Sequence, residues 1–427
     1  MSLETDIDAL LAREIGPGGP GAAVAVLRDG AFIHRKAYGL ADLEWGTPLE
    51  PDCVFRIASL TKQFTAVATM MLAERGLVDI DAPIERYLPD WPARGRTVSV
   101  RHLLNHTSGV WNHDSQMVER ILRPNPPVAE VLAMIRERPF EFEPGERYAY
   151  NNSGYLLLGA IIGAVSGRGY ETFLAEEIFG PLGMTNTGIL KHETITPKRA
   201  RGHVRGRKRF HNARLDAMSW SQAAGALGST LDDLARWDRA IREHRLIRAE
   251  TFEAMLAPTS FGDGQSYPYG FGWGTAEYRG ARLWHHTGGI SGFAAHMTHL
   301  RDEDLTVIVL SNLYLFPYDR VTRGVIRLVK GWPEPAPALA SPTADKLAAF
   351  AGPWDPGAEA LLNLGGGLAK LATLNESTLC DPADPEAEYR FSELEDGRYR
   401  RFDWVSPLWP VQTFRVKTEE DGVAAVG

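Results

Sequence analysis

The pattern of apolar and polar positions predicts strands at both ends of the chain and helices between them. Ala22–Arg28, the turn Asp29-Gly30 and residues 31–34 predict a β-hairpin, with a third strand near 36–39. Strand-like alternating or apolar runs recur at 268–276, 282–286, 293–300 and 305–312. Helical patterns occupy 5–16, 59–75, 99–105, 127–138, 154–166 and 170–178. This order implies one sheet that joins the amino- and carboxyl-terminal parts.

A change in composition near residue 333 indicates a domain boundary. Residues 332–344 (WPEPAPALASPTA) are rich in proline and alanine, as in an extended linker. Beyond them, short strand-like runs such as 388–391, 399–404 and 411–417 predict a small β domain. We therefore expect a large main domain at 1–335, a linker at 336–345 and an accessory β domain at 346–427.

Ser59-Leu60-Thr61-Lys62 opens the helical run that ends before Gly76. Near a helix start the Ser59 hydroxyl lies close to unpaired backbone N–H groups, and Lys62 lies one turn on along the same face. A desolvated lysine can take the proton that makes a serine hydroxyl a nucleophile. Alone, the pattern is weak, because such a serine is more often a plain helix cap with a solvated first-turn lysine beside it.

Two later motifs strengthen this interpretation. Tyr150-Asn151-Asn152 is predicted to lie in the loop before the 154–166 helix, where polar side chains can point into a cleft. His286-Thr287-Gly288 and Gly289 follow, with His286 expected at a strand end and the two glycines in a turn. The order Ser-x-x-Lys, Tyr-x-Asn, His-x-Gly is the layout of a serine acyl-transferase site.

With these motifs, the chain resembles the penicillin-recognising serine hydrolases, in the group of class C β-lactamases, D-aminopeptidases and related esterases. The resemblance runs from about residue 20 to 335, and the spacing of the three motifs is especially similar to D-aminopeptidase. It implies an α+β, β-lactamase/transpeptidase-like fold: an antiparallel sheet flanked by helices, plus an all-helical region. The further segments that carry it are 55–58 (FRIA), 103–109 (LLNHTSG), 144–146 (PGE), 154–155 (GY), 223–237 (AAGALGSTLDDLARW) and 269–273 (YGFGW).

The resemblance also implies roles for the site residues. Ser59 would attack a carbonyl to form an acyl-enzyme, while Lys62 and Tyr150 share the proton transfers, with the resting base left open. Asn152 would hydrogen-bond a substrate amide or the lysine. The backbone N–H groups of Ser59 and Gly289 would form an oxyanion hole, and His286, Thr287 and Gly288 would complete the substrate-binding strand. His106 is expected to be a structural hydrogen-bonding residue.

His286 departs from the lysine that β-lactamases and transpeptidases of the family usually carry. Histidine has an ordinary pKa of about 6.5 and is mostly uncharged at neutral pH, so it is a poor partner for a substrate carboxylate. The change favours substrates that lack the carboxylate or carry a free amine: esters, amides, or peptides with an N-terminal D-residue. A weak β-lactamase or D,D-peptidase is an alternative, and a catalytically silent binding module is an alternative of another class.

Composition limits the remaining possibilities. The 427 residues carry a net charge of −8 without a basic block, so neither nucleic acid nor an anionic membrane is expected as a partner. The expected partner is a small-molecule or short peptide substrate, without cofactor or metal; the oligomeric state stays open.

No run approaches the roughly 20 apolar residues that span a bilayer. The acidic amino terminus lacks a signal pattern, which favours a cytoplasmic location, with a removed leader as the alternative. Cys53 and Cys380 are expected to be free, buried thiols.

Overall fold

The computed structural model describes residues 2–113, 126–262, 264–335, 372–373, 378–381, 384–395 and 398–415. The chain divides into two compact units, Met1–Thr275 with Ala281–Lys330 and Ala276–Gly280 with Gly331–Gly427. The predicted linker at 336–345 lies outside the described residues, so the domain division proposed from the sequence stays a prediction.

The first part of the chain contains long strands near its two ends and short ones between them. They are β1 (Ala22–Arg28), β2 (Ala31–Tyr38), β3 (Leu40–Asp42), β4 (Thr47–Pro48), β5 (Phe55–Arg56), β6 (Gly188–Ile189), β7 (His203–Arg205), β8 (Phe210–Asn212), β9 (Leu227–Ser229), β10 (Thr259–Ser260), β11 (Ser266–Tyr267), β12 (Gly274–Tyr278), β13 (Ala281–Ile290), β14 (Phe293–Leu300) and β15 (Leu305–Ser311).

One six-stranded sheet joins the two ends of this part, as predicted. Its order is β12-β13-β14-β15-β1-β2, and β1 pairs antiparallel with both β2 and β15. The pairings of β13 with β14 and of β14 with β15 are antiparallel as well. β14 and β15 are buried along their whole lengths, so helices must cover both faces of the sheet.

The helices of the described residues are predominantly short and form the rest of the first unit. They are α1 (Leu3–Glu14), α2 (Thr61–Glu74), α3 (Val100–Leu104), α4 (Val128–Glu137), α5 (Asn152–Ser166), α6 (Tyr170–Leu174), α7 (Gly180–Leu182), α8 (Gln222–Gly225), α9 (Leu231–Arg242), α10 (Ala249–Leu256) and α11 (Tyr318–Lys330), with a π-helical turn at Ala175–Phe179. None of the helices in the described ranges is long and apolar enough to cross a membrane.

The two faces of the sheet are covered by different helices. His296 on β14 contacts Thr322 of α11 at 3.0 Å, whereas His299 lies 3.7 Å from Asp238 of α9. Three residues apart on one strand, these side chains point to opposite faces, as the alternation predicts. Helices between β5 and β9, including α2, α3, α5, α6 and α8, contact one another in the all-helical region. The predicted α+β architecture is therefore confirmed.

Several predicted element boundaries differ from the structure. Ser59 lies in a 3-10 turn, Ala58–Leu60, and α2 begins only at Thr61, because the chain turns sharply after β5 and Ala58 takes a left-handed φ of 47°. The strand predicted at 268–276 begins at Gly274. The third strand predicted near 36–39 is the end of β2, and β3 follows it separately.

The second unit contains a five-stranded antiparallel sheet. Its strands are β16 (Ala372–Thr373), β17 (Thr378–Asp381), β18 (Asp384–Glu395), β19 (Arg398–Ser406) and β20 (Trp409–Arg415), and they pair in chain order. The predicted runs 388–391 and 399–404 lie in β18 and β19. Leu379, Phe391 and Phe402 are buried in this unit, and Cys380 is buried, as is Cys53 in the first unit.

Candidate active site

The structure brings Ser59 and Lys62 together at the start of α2. The Lys62 Nζ atom lies 3.2 Å from the Ser59 Oγ atom, although Ser59 is in the 3-10 turn and not in the α-helix. The lysine side chain is fully buried, and Ser59 is partly buried. A desolvated amine within hydrogen-bond distance of a serine hydroxyl is the arrangement that can activate the hydroxyl as a nucleophile.

Uncharged oxygen atoms hold the buried amine of Lys62. Its Nζ atom donates to Asn152 Oδ1 at 2.5 Å and to the Ala224 carbonyl at 2.8 Å. Ala224 lies near the carboxyl end of the short helix α8, where carbonyl groups lack partners within the helix. The Tyr150 ring lies 4.7 Å from Nζ, so the face of an aromatic ring also surrounds the positive charge.

The segment 103–109 supports the loop that carries Tyr150 and Asn152. His106 is buried, and its Nδ1 atom accepts a hydrogen bond from the Asn151 backbone N–H at 3.0 Å. Asn151 in turn caps α5, because its Oδ1 atom accepts from the Gly154 N–H at 2.9 Å. The His106 ring also packs against the Tyr150 ring at 4.4 Å. His106 is thus a structural hydrogen-bonding residue, as predicted.

His286 is neutral, and its two ring nitrogens have defined roles. Nδ1 lies 2.6 Å from the Thr287 carbonyl, which can only accept, so Nδ1 carries the proton. Nε2 then accepts from the Tyr269 hydroxyl at 2.9 Å. Burial, followed by the charge of Lys62, lowers the pKa of His286 to about 3. This residue therefore supplies no positive charge for a substrate carboxylate at neutral pH.

The prediction of a turn at Gly288-Gly289 was wrong. β13 runs on to Ile290, with His286 inside it, and the chain reverses only at residues 291–292. A Cβ atom at Gly288 would lie 2.2 Å from the Ile57 carbonyl, whereas one at Gly289 would meet nothing within 4 Å. Gly288 allows the strand to approach the Ser59 turn closely, and Gly289 leaves open space beside it.

A cavity of about 360 Å³ lies beside these residues. Ser59, Asn152 and Gly289 line it, while the Thr287 side chain lies near Tyr318 of α11. The other lining residues are Ala58, Val204, Arg214, Asp216, Trp220, Ser221, Ala224, Gly225, Ile290, Ser291 and Tyr314. Across the described ranges, no group of three or more His, Cys, Asp or Glu side chains is arranged to hold a metal ion.

Sequence reasoning missed three supports of the site. Tyr269, in the 269–273 segment, holds His286, and the Ala224 carbonyl holds Lys62. Buried His113 bridges Ser153 and the Trp220 carbonyl at 2.8 and 2.7 Å, which ties the Tyr150–Asn152 loop to a cavity wall. The resemblance included the segments that contain Tyr269 and Ala224, but nothing in the sequence pattern distinguishes His113.

The fold and the Ser59–Lys62 pair agree with the predicted resemblance to the penicillin-recognising serine hydrolases. Comparison with known proteins gives the family. The family model described as Beta-lactamase matches residues 7–330, so the chain belongs to the β-lactamase family.

Individual relatives agree with this. The chain is 32% identical over 320 residues to a D-aminopeptidase of Gluconobacter oxydans (strain 621H), a match that covers 73% of this chain and 58% of that protein. The chain thus spans less than two thirds of that relative. The structure of D-amino acid amidase from Ochrobactrum anthropi SV3, complexed with D-phenylalanine, has a TM-score of 0.68 at 27% identity and covers 78% of this chain and 99% of its own. An octameric penicillin-binding protein homologue from Pyrococcus abyssi, 22% identical, has a TM-score of 0.71 over 96% of this chain and 99% of its own; that likeness shows the fold alone.

Proposed function

We propose that this protein is a serine hydrolase that cleaves amide or ester substrates through an acyl-enzyme on Ser59. The observation that carries the proposal is the fully buried Lys62 amine at 3.2 Å from the Ser59 hydroxyl. Burial of a cation is costly and requires compensating contacts, so a lysine buried against a serine indicates a role beyond packing. Accepting the serine proton gives the buried amine a chemical role.

The other residues have supporting roles in this proposal. Asn152 positions Lys62 through the 2.5 Å hydrogen bond, and Tyr150, beside the amine, takes part in proton transfer to the leaving group. The backbone N–H groups of Ser59 and Gly289 stabilise the oxyanion, and both residues line the cavity. His286, Thr287 and Gly288 shape the strand along which the substrate lies.

Among amides and esters, we favour substrates with a free amine, including D-aminoacyl amides and D-aminopeptides. The neutral His286 argues against carboxylate recognition of the kind a β-lactamase requires. Similarity to a D-aminopeptidase and a D-amino acid amidase points the same way. The expected partner is therefore a small molecule or short peptide, not a nucleic acid. A cytoplasmic location stays a prediction.

A substrate panel tests the proposal. Wild-type protein and Ser59→Ala are assayed with p-nitrophenyl esters, D- and L-aminoacyl p-nitroanilides and nitrocefin. We expect wild-type turnover of at least one ester or anilide, with loss in the variant. Equal rates for the two proteins would contradict the proposal. If nitrocefin were the best substrate, the proposed preference for substrates with a free amine would be contradicted.

A further inference from the structure

Two oppositely charged side chains lie in the wall of the cavity beside Ser59. Arg214 and Asp216 are the charged residues among the described residues that line it, and no part of the proposed chemistry uses them. The other polar side chains around the cavity, such as Asn152, Ser221 and Ser291, are uncharged. Asp216 is therefore the one carboxylate among the described residues that line this cavity.

Asp216 is the better shielded of the two charges. Its side chain is 21% exposed, compared with 45% for Arg214. The Asp216 carbonyl accepts from His192 Nε2 at 2.8 Å, and the next two residues, Ala217 and Met218, are buried. Asp216 is thus held at a defined place on the wall, in a setting where solvent screens its charge less than that of Arg214.

The carboxylate of Asp216 is not bound by Arg214 through a hydrogen bond. The Arg214 Nε atom lies 3.6 Å from its Oδ1 atom, beyond hydrogen-bond distance. The buried guanidinium of Arg56 lies within electrostatic range, but its Nε and Nη2 atoms make no hydrogen bond. The carboxylate can accept from a substrate, and a role as counter-ion of the arginines is the structural alternative.

We propose that Asp216 binds the free α-ammonium group of an aminoacyl substrate whose carbonyl carbon is attacked by Ser59. This inference rests on the proposed function and assigns the residue that recognises the amine. An ammonium presents three N–H donors, and the carboxylate offers acceptor oxygens of the opposite charge.

The test compares Asp216→Asn with a matched variant of the other charged wall residue, Arg214→Gln. The substrates are D- and L-alanine p-nitroanilide, which have the amine, and propionyl p-nitroanilide, which has the same carbon skeleton without it. We expect the wild type to favour an alanyl anilide, and Asp216→Asn to lower kcat/KM for it by about 10-fold to 100-fold. We expect kcat/KM for the propionyl anilide in that variant, and for all three anilides in Arg214→Gln, to change by less than about threefold.

The outcomes separate this inference from the proposed function. Labelling of Ser59 by a fluorophosphonate, followed by intact mass, is measured on the same three proteins. A wild type that is not labelled contradicts the proposed function itself. Normal labelling with a wild-type preference for the propionyl anilide overturns only the role of Asp216. A similar loss of kcat/KM by Asp216→Asn on the alanyl and propionyl anilides, together with a lowered unfolding midpoint, also overturns that role. Such a result would indicate that Asp216 is a structural counter-ion.

Discussion

At the residue scale, the chemistry depends on how Lys62 is held. Its amine contacts the Ser59 hydroxyl, the Asn152 amide oxygen and the Ala224 carbonyl, all of them uncharged acceptors. Burial removes water from the amine, so these protein acceptors and not solvent hold its protons. The same contacts fix the amine in place, so that the proton is transferred over a short, defined distance.

Replacing Lys62 is predicted to have a much larger effect than replacing Asn152. Lys62→Met removes the proton acceptor and should lower the rate of Ser59 acylation by about 10³-fold, within the range known for general bases. Asn152→Ala removes one hydrogen bond to the amine and should lower the rate of Ser59 acylation by about 10-fold. Fluorophosphonate labelling followed over time measures both, with circular dichroism to confirm folding. An Asn152 effect as large as that of Lys62 would contradict a positioning role.

The neutral His286 predicts the shape of the pH–rate profile. Because the pKa of His286 is lowered to about 3, its charge does not change between pH 5 and 8. The kcat/KM profiles of the wild type and His286→Gln should therefore have the same shape in that range, whatever their absolute values. A step near the ordinary histidine pKa of about 6.5 in the wild type alone would show that His286 titrates.

At the element scale, the close approach of β13 to the Ser59 turn positions the site. Gly288 packs against the Ile57 carbonyl, two residues before Ser59, and the left-handed Ala58 lies between them. The backbone of β13 and the backbone just before Ser59 are therefore in direct contact. This arrangement places the Gly289 backbone on the wall of the same cavity as Ser59.

The two adjacent glycines should respond differently to alanine. Gly288→Ala places a Cβ atom against backbone, so we expect a loss of about 1–3 kcal/mol in the free energy of unfolding and slower acylation. Gly289→Ala meets open space, so stability should change by less than about 0.5 kcal/mol, while the methyl group narrows the cavity and lowers kcat/KM. Urea denaturation and steady-state kinetics on both variants are the measurements. Equal destabilisation by both would contradict this account.

The elements also show what could be read from the sequence. Ser59 and Lys62 were found because a spacing of three residues brings side chains together in either an α-helix or a 3-10 turn. The turn predicted at Gly288-Gly289 was wrong because glycine marks both tight turns and close packing of backbone, and only the contact with Ile57 distinguishes them. The Ala224 carbonyl and the His113 bridge depend on tertiary contacts between distant segments, which no local pattern records.

At the scale of the whole molecule, buried histidines link stability to pH. Burial lowers the pKa of His285 to about 4 and those of His286 and His299 to about 3. The unfolded chain takes up these protons near its ordinary histidine pKa of about 6.5, before the folded protein does. Their contribution to stability is present above that pH and is lost as the pH falls toward 3–4. Buried Asp238, with a pKa raised to about 6, opposes this loss at mildly acidic pH.

The stability of the protein should therefore fall between pH 7 and pH 5. His285→Gln removes one of these histidine titrations, so it should reduce that loss by on the order of 2 kcal/mol. Chemical denaturation of the wild type and the variant at both pH values measures the difference. A wild type that is more stable at pH 5 than at pH 7 would show that Asp238, not the histidines, dominates.

Removal of the proposed accessory domain should change substrate specificity more than it changes the acylation of Ser59. Every residue proposed for the acyl transfer belongs to the first unit. Removal of residues 340–427 should therefore alter the ratios of kcat/KM among the ester and anilide substrates more than it alters the fluorophosphonate labelling rate. Unchanged substrate ratios in a folded truncated protein would contradict a role for this domain in specificity.

The most direct measurement is intact-mass spectrometry after incubation with a fluorophosphonate, for the wild type beside Ser59→Ala. The account predicts a single covalent adduct on the wild type and none on the variant. That result would establish Ser59 as an activated nucleophile. A well-folded wild type without an adduct, or a variant that is still labelled, would contradict the central claim and favour a catalytically silent binding module or a nucleophile elsewhere.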